Sequence, residues 1–290
     1  MMTGVIGLGN LGLAIATRLE SEGVPLTVWN RTPGKAKRLA ARLALTPAEL
    51  ISASDITILN LFDSDAVESV FTRSDGLLSG DCKGKIILDT TTNHPARVAG
   101  FHQLLLQHGA QYLEAPVLGS IEPALRGALV MLVSGDPAAM ERVRPIGQKL
   151  CKKIFYLGAP GIATRMKLVN NLVLATFMAS IAEAGAMGER VGIGLDMVLN
   201  ILSEGAGNST ILRAKKTKLT QGDFSAQFSV SAMQKDIDYL TDLCRELGVL
   251  SPNLDSLRVA YGDANLLKHG DVDFSAVYRV FEERYRNASR

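Results

Sequence analysis

Through the first half of the chain, short runs of β-branched and aliphatic residues alternate with segments whose apolar positions recur at helical spacing. Residues 4–6, 26–29, 56–61, 86–89, 111–114, 129–133 and 154–156 read as strands, each an apolar run bounded by turn formers. Residues 11–22, 33–43, 66–71, 96–107 and 137–150 read as helices, several of them opened by Pro or Asp. This alternation predicts βαβ units and an α/β fold built on a doubly wound parallel sheet. After Gly158-Ala159-Pro160-Gly161 the strand signal stops, and residues 163–191, 196–204, 209–219, 230–247, 253–267 and 274–286 all read as helices. The pattern therefore predicts two domains, 1–161 built on a sheet and 162–290 all-helical, joined by a long helix. That helix is apolar on nearly every face, so it should be wrapped by other helices or by a second subunit.

Composition narrows the chemistry. With 47% hydrophobic and 21% charged residues the 290-residue chain is an ordinary globular sequence, and 31 Lys plus Arg against 29 Asp plus Glu leave a net charge of +2. So even a balance points away from nucleic-acid or membrane partners. Cys82, Cys151 and Cys244 are far apart and form no CxxC pair, which argues against disulfides or a zinc ribbon and for a reducing, cytoplasmic setting. His94, His102, His108 and His269 show no metal-ligand spacing, so no metal is expected. The start of the chain has neither a basic region nor a long apolar run, so no secretion signal is expected. The apolar stretch 168–187 holds Asn170, Asn171 and Glu183 and reads as a buried helix, not a bilayer span.

Gly7-Leu8-Gly9-Asn10-Leu11-Gly12 is a GxGxxG between the first strand and the first helix. Its first glycine permits a tight turn, the second lets backbone approach a pyrophosphate, and the third lets helix pack on strand. At the end of the second strand, where a free ribose 2′-hydroxyl would want a carboxylate, the chain has Asn30-Arg31-Thr32 with Lys35 beyond. A guanidinium suits a 2′-phosphate, so NADP(H) is preferred, with NAD(H) possible. Lys167 and Asn171 lie four positions apart on the long helix and share a face. Met166, Leu168, Val169, Leu172 and Val173 surround Lys167 with apolar side chains, an environment in which an ammonium can protonate a developing alkoxide while Asn171 holds substrate or lysine.

Further motifs follow in order. They are Asp89-Thr90-Thr91-Thr92-Asn93-His94-Pro95, then Glu114-Ala115-Pro116-Val117-Leu118-Gly119-Ser120, then Gly158-x-x-Gly161 through Lys167 to Asn170-Asn171, and Lys235-Asp236. With the GxGxxG, these resemble the ordered motifs of the β-hydroxyacid dehydrogenase family, related to 3-hydroxyisobutyrate dehydrogenase, over essentially the whole chain. The resemblance implies a Rossmann domain and an all-helical domain with a cleft between them, assembled as a homodimer or homotetramer through the helical domain. It implies Lys167 as general acid/base, Thr92 and Lys235 at the cofactor, Leu61 and Phe62 at the nicotinamide end, and Asn171, Phe228 and Asp236 at the substrate. Taken singly, Thr92 reads as a turn hydroxyl, Phe228 as core and Lys235-Asp236 as a solvated pair.

One departure stands out. Where the family's substrate loop has Pro-Val-Ser-Gly, this chain has Pro116-Val117-Leu118-Gly119, and the following Gly119-Ser120-x-x-Pro123-Ala124 is similar to the glyoxylate/succinic semialdehyde reductase branch. Leu118 offers no side-chain hydrogen bond, so Ser120 and backbone amides compensate or the pocket takes a longer, less polar substrate. The expected activity is NADPH-dependent hydride transfer involving a small anionic aldehyde or keto acid, or the matching hydroxy acid. The alternatives are a 3-hydroxyisobutyrate or β-hydroxy amino acid dehydrogenase, an imine reductase, whose members generally lack the catalytic lysine, and a non-catalytic NADPH-binding sensor.

Overall fold

The computed structural model describes residues 1–287. It divides into two compact units, Met1–Lys167 and a second beginning at Leu168.

The first unit alternates strand and helix: β1 Thr3–Ile6, α1 Asn10–Ser21, β2 Leu26–Trp29, a 3-10 helix Pro33–Arg38, β3 Arg42–Leu43, α2 Pro47–Ser52, β4 Ile56–Leu59, α3 Ser64–Thr72, β5 Ile86–Asp89, α4 Pro95–Gln107, β6 Gln111–Glu114, β7 Val117–Leu118, α5 Ile121–Leu125, β8 Leu129–Gly135, α6 Pro137–Leu150 and β9 Cys151–Tyr156. The sheet runs β3-β2-β1-β4-β5-β6-β8-β7, with β9 on β8. β1, β2, β4 and β5 are buried along their whole length because helices cover both faces, which is why they read as mainly apolar runs with one polar residue each. Strands β1 to β6 pair in parallel, whereas β8 runs antiparallel to β6 and β7 and makes the far side mixed.

Local chemistry accounts for the helix starts. Asp63 accepts from Ala66 N at the head of α3, and Asp136 accepts from Ala139 N ahead of Pro137 in α6. The helix expected over 33–43 is instead a short 3-10 turn and then β3. Lys35, Lys37, Arg38 and Arg42 crowd this stretch, and among its described apolar residues only Ala36 is buried, with Leu39 and Ala41 packed partly against the core, too little burial to hold a regular helix against the sheet. Helix α2, not anticipated, is signalled by Thr46, whose hydroxyl accepts from Glu49 N, with Pro47 at the first helical position.

The second unit is helical. α7 Ile162–Arg190 enters it from the first, followed by α8 Leu195–Glu204, α9 Thr210–Thr220, α10 Val230–Leu247, α11 Pro252–Leu266, a 3-10 turn Phe274–Ala276 and α12 Val277–Asn287. Its core takes Leu168, Ala175, Met178 and Ala182 from α7 and Val230, Met233, Ile237, Leu240 and Leu243 from α10, at the spacing of one helical stripe each. α7 is long and apolar enough to cross a membrane by length and composition. The other helices do not wrap it on every side: Met166, Val169, Val173, Phe177 and Met187 leave an exposed apolar line along it.

Candidate cofactor and catalytic site

The turn after β1 has the features of a dinucleotide cradle. Gly7 has φ +93°, and a Cβ there would lie 2.2 Å from the Asn60 carbonyl oxygen. A Cβ on Gly12 would lie 1.9 Å from the Gly7 carbonyl oxygen, whereas one on Gly9 would meet nothing within 4 Å. The first and third glycines are thus required by packing and the second leaves open approach. Helix α1 starts after Gly9 with no side-chain cap and no acidic residue in its first turn, so its leading N–H groups and positive dipole end are available to an anion. These residues fit a pyrophosphate. Asn10 is exposed and Leu11 half-buried at the mouth of this turn.

Asn30 holds that turn from beneath. Its Oδ1 accepts from Leu8 N at 2.8 Å and its Nδ2 donates to Thr32 O at 2.9 Å. Arg31, Thr32 and Lys35 are exposed beside it, at the carboxyl end of β2. No carboxylate stands among residues 30–38, so the local charge is positive.

The ends of β4 and β5 are stitched together by side chains. Asn60 Nδ2 donates to Thr90 Oγ1 at 2.9 Å, and Leu61 N donates to Thr91 Oγ1 at 3.0 Å. Asp89 is fully buried; it accepts from Thr91 N at 2.9 Å, Asn93 Nδ2 at 2.8 Å and the Tyr112 hydroxyl at 2.7 Å. Burial pushes its carboxyl above the usual range against the pull of those hydrogen bonds. Thr92 sits half-buried in the turn so held, while Phe62 is 52% exposed and Leu61 half-buried on the neighbouring loop. All of these loops lie at the carboxyl ends of parallel strands, on either side of the β1/β4 reversal of strand order, where open α/β sheets bind ligands.

Lys167 is 9% exposed, and its Nζ donates to Val117 O in β7 at 2.9 Å. The apolar neighbours read from sequence do not account for this burial: Met166, Val169 and Val173 point outward, and what covers the ammonium includes the strand segment at Val117. The next residues form the substrate-loop motif. Leu118 is half-buried in β7 opposite Val130, Gly119 turns with φ +115°, and half-buried Ser120 heads α5 without a side-chain cap bond. Glu114, just upstream and buried, accepts from Gly161 N, from Thr164 N at 2.9 Å and from the Thr164 hydroxyl. Burial pushes its carboxyl up, while the donors at Thr164 and Gly161 pull it back. Neither Asp89 nor Glu114 is marked by the motif as a holding group.

In the helical unit, Asn171 Nδ2 donates to Asp236 Oδ2 at 2.6 Å, and both side chains are buried. Lys235 pairs with Asp236 at 2.9 Å and lies over the Tyr239 ring at 4.8 Å, so the late Lys-Asp pair is largely enclosed and not a solvated helix pair. Phe228 is half-buried and packs edge-on to Phe274. Its loop is fixed by Asp273, which accepts from Gln227 N at 3.1 Å and Phe228 N at 3.3 Å and pairs with buried Lys215 at 2.8 Å. Burial pushes the Asp273 carboxyl up, but the Lys215 ammonium together with the donors at Ser275 and Gln227 holds it below the usual carboxylate range. Lys215 and Asp273 carry no motif and escaped sequence reasoning. Among the described residues no His/Cys/Asp/Glu group is arranged to hold a metal.

Residues 2–158 match the NAD binding domain of 6-phosphogluconate dehydrogenase, and residues 161–281 the NAD-binding family of NADP-dependent 3-hydroxyisobutyrate dehydrogenase. The chain is 34% identical over 281 residues to the cytokine-like nuclear factor N-PAC of Xenopus tropicalis, a match covering 96% of this chain and 53% of that protein. It thus spans about half the length of the curated vertebrate relatives it matches. It is 32% identical over 280 residues to glyoxylate/succinic semialdehyde reductase 1 of Arabidopsis thaliana, covering 96% of this chain and 97% of the relative. Among solved structures, Psf3 in complex with NADP+ and 2-OPP superposes with a TM-score of 0.89 at 28% identity, covering 96% of this chain and 99% of that one. With both halves matched in order and a relative aligned along its whole length, the chain belongs to the β-hydroxyacid dehydrogenase family.

Proposed function

We propose that the protein is an NADPH-dependent oxidoreductase acting on a small aldehyde or keto acid, or on the corresponding hydroxy acid, in the manner of a glyoxylate/succinic semialdehyde reductase. The observation that carries this reading is the buried Lys167 ammonium beside the substrate-loop motif, held by the Val117 carbonyl. A side chain so placed has few alternatives as a proton source for a carbonyl oxygen. Gly7, Gly9, Asn10, Leu11 and Gly12 hold the pyrophosphate at the head of α1, and Arg31 and Lys35 meet the 2′-phosphate. Thr92, Leu61 and Phe62 border the nicotinamide side. When bound, the cofactor supplies the hydride. Lys167 gives the proton to the substrate oxygen during reduction and takes it back during oxidation, while the Leu118-Gly119-Ser120 turn orients the substrate. The three free cysteines fit a reducing compartment such as the cytoplasm. The exposed apolar line on α7 supports a homodimer or homotetramer through the helical unit.

Glyoxylate, succinic semialdehyde, tartronate semialdehyde, 3-hydroxyisobutyrate and serine, each assayed with both coenzymes, test the reading. Turnover of an aldehyde acid with NADPH, lost by roughly a thousandfold in Lys167→Ala with NADPH binding intact, is the expected result. An active Lys167→Ala removes its role, and light scattering that finds only monomer removes the assembly. The match to a protein named as a nuclear factor and not as an enzyme leaves a second reading open, a module that binds NADPH and turns over nothing. NADPH binding with a wholly inert panel is its signature.

A further inference from the structure

Glu114 ends β6 with a carboxylate that is 1% exposed and turned to the start of α7. Gly161 N, Thr164 N and the Thr164 hydroxyl, all uncharged donors, reach it. The leading N–H groups of a helix have no acceptor within it, so a buried carboxylate there satisfies them and meets the positive end of the dipole. A cap of that kind usually serves only the helix. Here the same short segment grips α7 a second time. Val117 lies three residues beyond Glu114, Lys167 three beyond Thr164, and the Val117 carbonyl takes the Lys167 ammonium. Residues 114–117 therefore clasp residues 164–167 at two points, one on the helix backbone and one on the group that delivers the proton. The two grips are rigidly related, since Glu114 leaves β6 and Val117 enters β7, each strand paired to β8.

From this geometry we infer that Glu114, acting through Thr164, is a positioning residue for Lys167, setting the rotation and height of the first turn of α7 so that the ammonium sits at the substrate loop. The inference rests on Lys167 as the acid/base. Proton delivery is steep in distance, and a displacement of about 1 Å is enough to lower a rate by roughly a hundredfold.

Three variants test it: Glu114→Gln, which replaces an acceptor oxygen by a donor facing donors; Thr164→Val, which removes the hydroxyl at nearly constant volume; and Thr164→Ser, which keeps the hydroxyl. With NADPH and glyoxylate or succinic semialdehyde, kcat should fall about a hundredfold in Glu114→Gln and about tenfold in Thr164→Val, with Thr164→Ser within about threefold of the parent. The aldehyde KM and the NADPH dissociation constant, read by fluorescence, should stay within about twofold. The solvent deuterium isotope effect on kcat should rise as proton delivery becomes limiting. Amide hydrogen exchange should quicken at 161–167 and stay unchanged in α1. Wild-type kcat in Thr164→Val overturns the inference, as does a kcat loss equal to the loss of folded protein with an unchanged isotope effect. If Glu114→Gln does not fold, the Thr164 pair decides. Activity in Lys167→Ala sinks the underlying reading instead, whereas an inactive Lys167→Ala beside an unimpaired Thr164→Val sinks only the role of Glu114.

Discussion

The two units bury their carboxylates in different company. In the sheet unit Asp89 and Glu114 are satisfied by amides, hydroxyls and a phenol, and burial pushes both carboxyls up. In the helical unit Asp236 and Asp273 stand beside Lys235 and Lys215, and Asp273 is held below its usual range. Backbone supply explains the contrast. Past a strand end, as at Thr91, and in the first turn of a helix, as at Gly161 and Thr164, the chain has N–H groups to spare, whereas amides inside a helix are spent on the i−4 carbonyl. A carboxylate buried among helices therefore finds backbone donors only where a loop supplies them, as at Gln227 and Phe228 beside Asp273, and a side-chain cation is the strongest support that can be added.

The largest expected effect tests that contrast directly. Asp273→Asn leaves the Lys215 ammonium in the core without its carboxylate and should destabilise the helical unit by about 3–5 kcal/mol, while adding Lys215→Met should recover the part owed to the buried cation, since the amide oxygen at 273 still accepts from the Gln227 and Phe228 amides. Urea unfolding of the three proteins measures this, and a single-variant cost below about 1 kcal/mol means that the pair does not matter to folding. Asp89→Asn should cost less, about 1–3 kcal/mol, since an amide oxygen can still accept from one of its uncharged donors. Its effect should centre on residues 90–94 and weaken NADPH binding; a cost equal to that of Asp273→Asn erases the distinction.

Acid should produce the smallest and most graded difference. Asp273, held below the ordinary value of 3.8, contributes stability that is present above that value and lost as pH falls through its folded-state pKa. Asp89 and Glu114 have the opposite sign: their raised values make protonation easier in the folded state, so lowering pH through those values relieves the sheet unit. Pepsin should accordingly cut beyond Leu168 at a higher pH than it cuts before Lys167. Simultaneous cleavage of both units at every pH contradicts this order.

Much of the fold was legible because long apolar runs and helical stripes report burial whatever their partners are. The strands at 26–29 and 86–89 and the stripe of α10 are of that kind. The 3-10 turn at Pro33–Arg38 reads as helix because Pro33 opens it and Ala36, Leu39, Ala40 and Leu43 fall at helical spacing, although Ala40 and Leu43 stay exposed. β3, β7 and α5 are too short to leave a period. In the site, the glycines of the cradle and the lysine were visible as residue types, but the reason for the burial of Lys167 was not. Its partner Val117 lies 50 residues away and contributes only a backbone carbonyl, which no sequence motif records. The same holds for Lys215 and Asp273, 58 residues apart.

Asn30 carries a consequence for anyone wishing to retune this protein to a different coenzyme. The cations beside it, Arg31 and Lys35, are the obvious targets for favouring NADH. Its own side chain ties the Leu8 amide to the Thr32 carbonyl, so the segment proposed to meet the 2′-phosphate and the glycine turn proposed to receive the pyrophosphate are one mechanical piece. Redesign that introduces a ribose-binding carboxylate at Arg31 or Thr32 leaves that linkage whole; redesign at Asn30 trades selectivity for a slackened turn and weakens both coenzymes together.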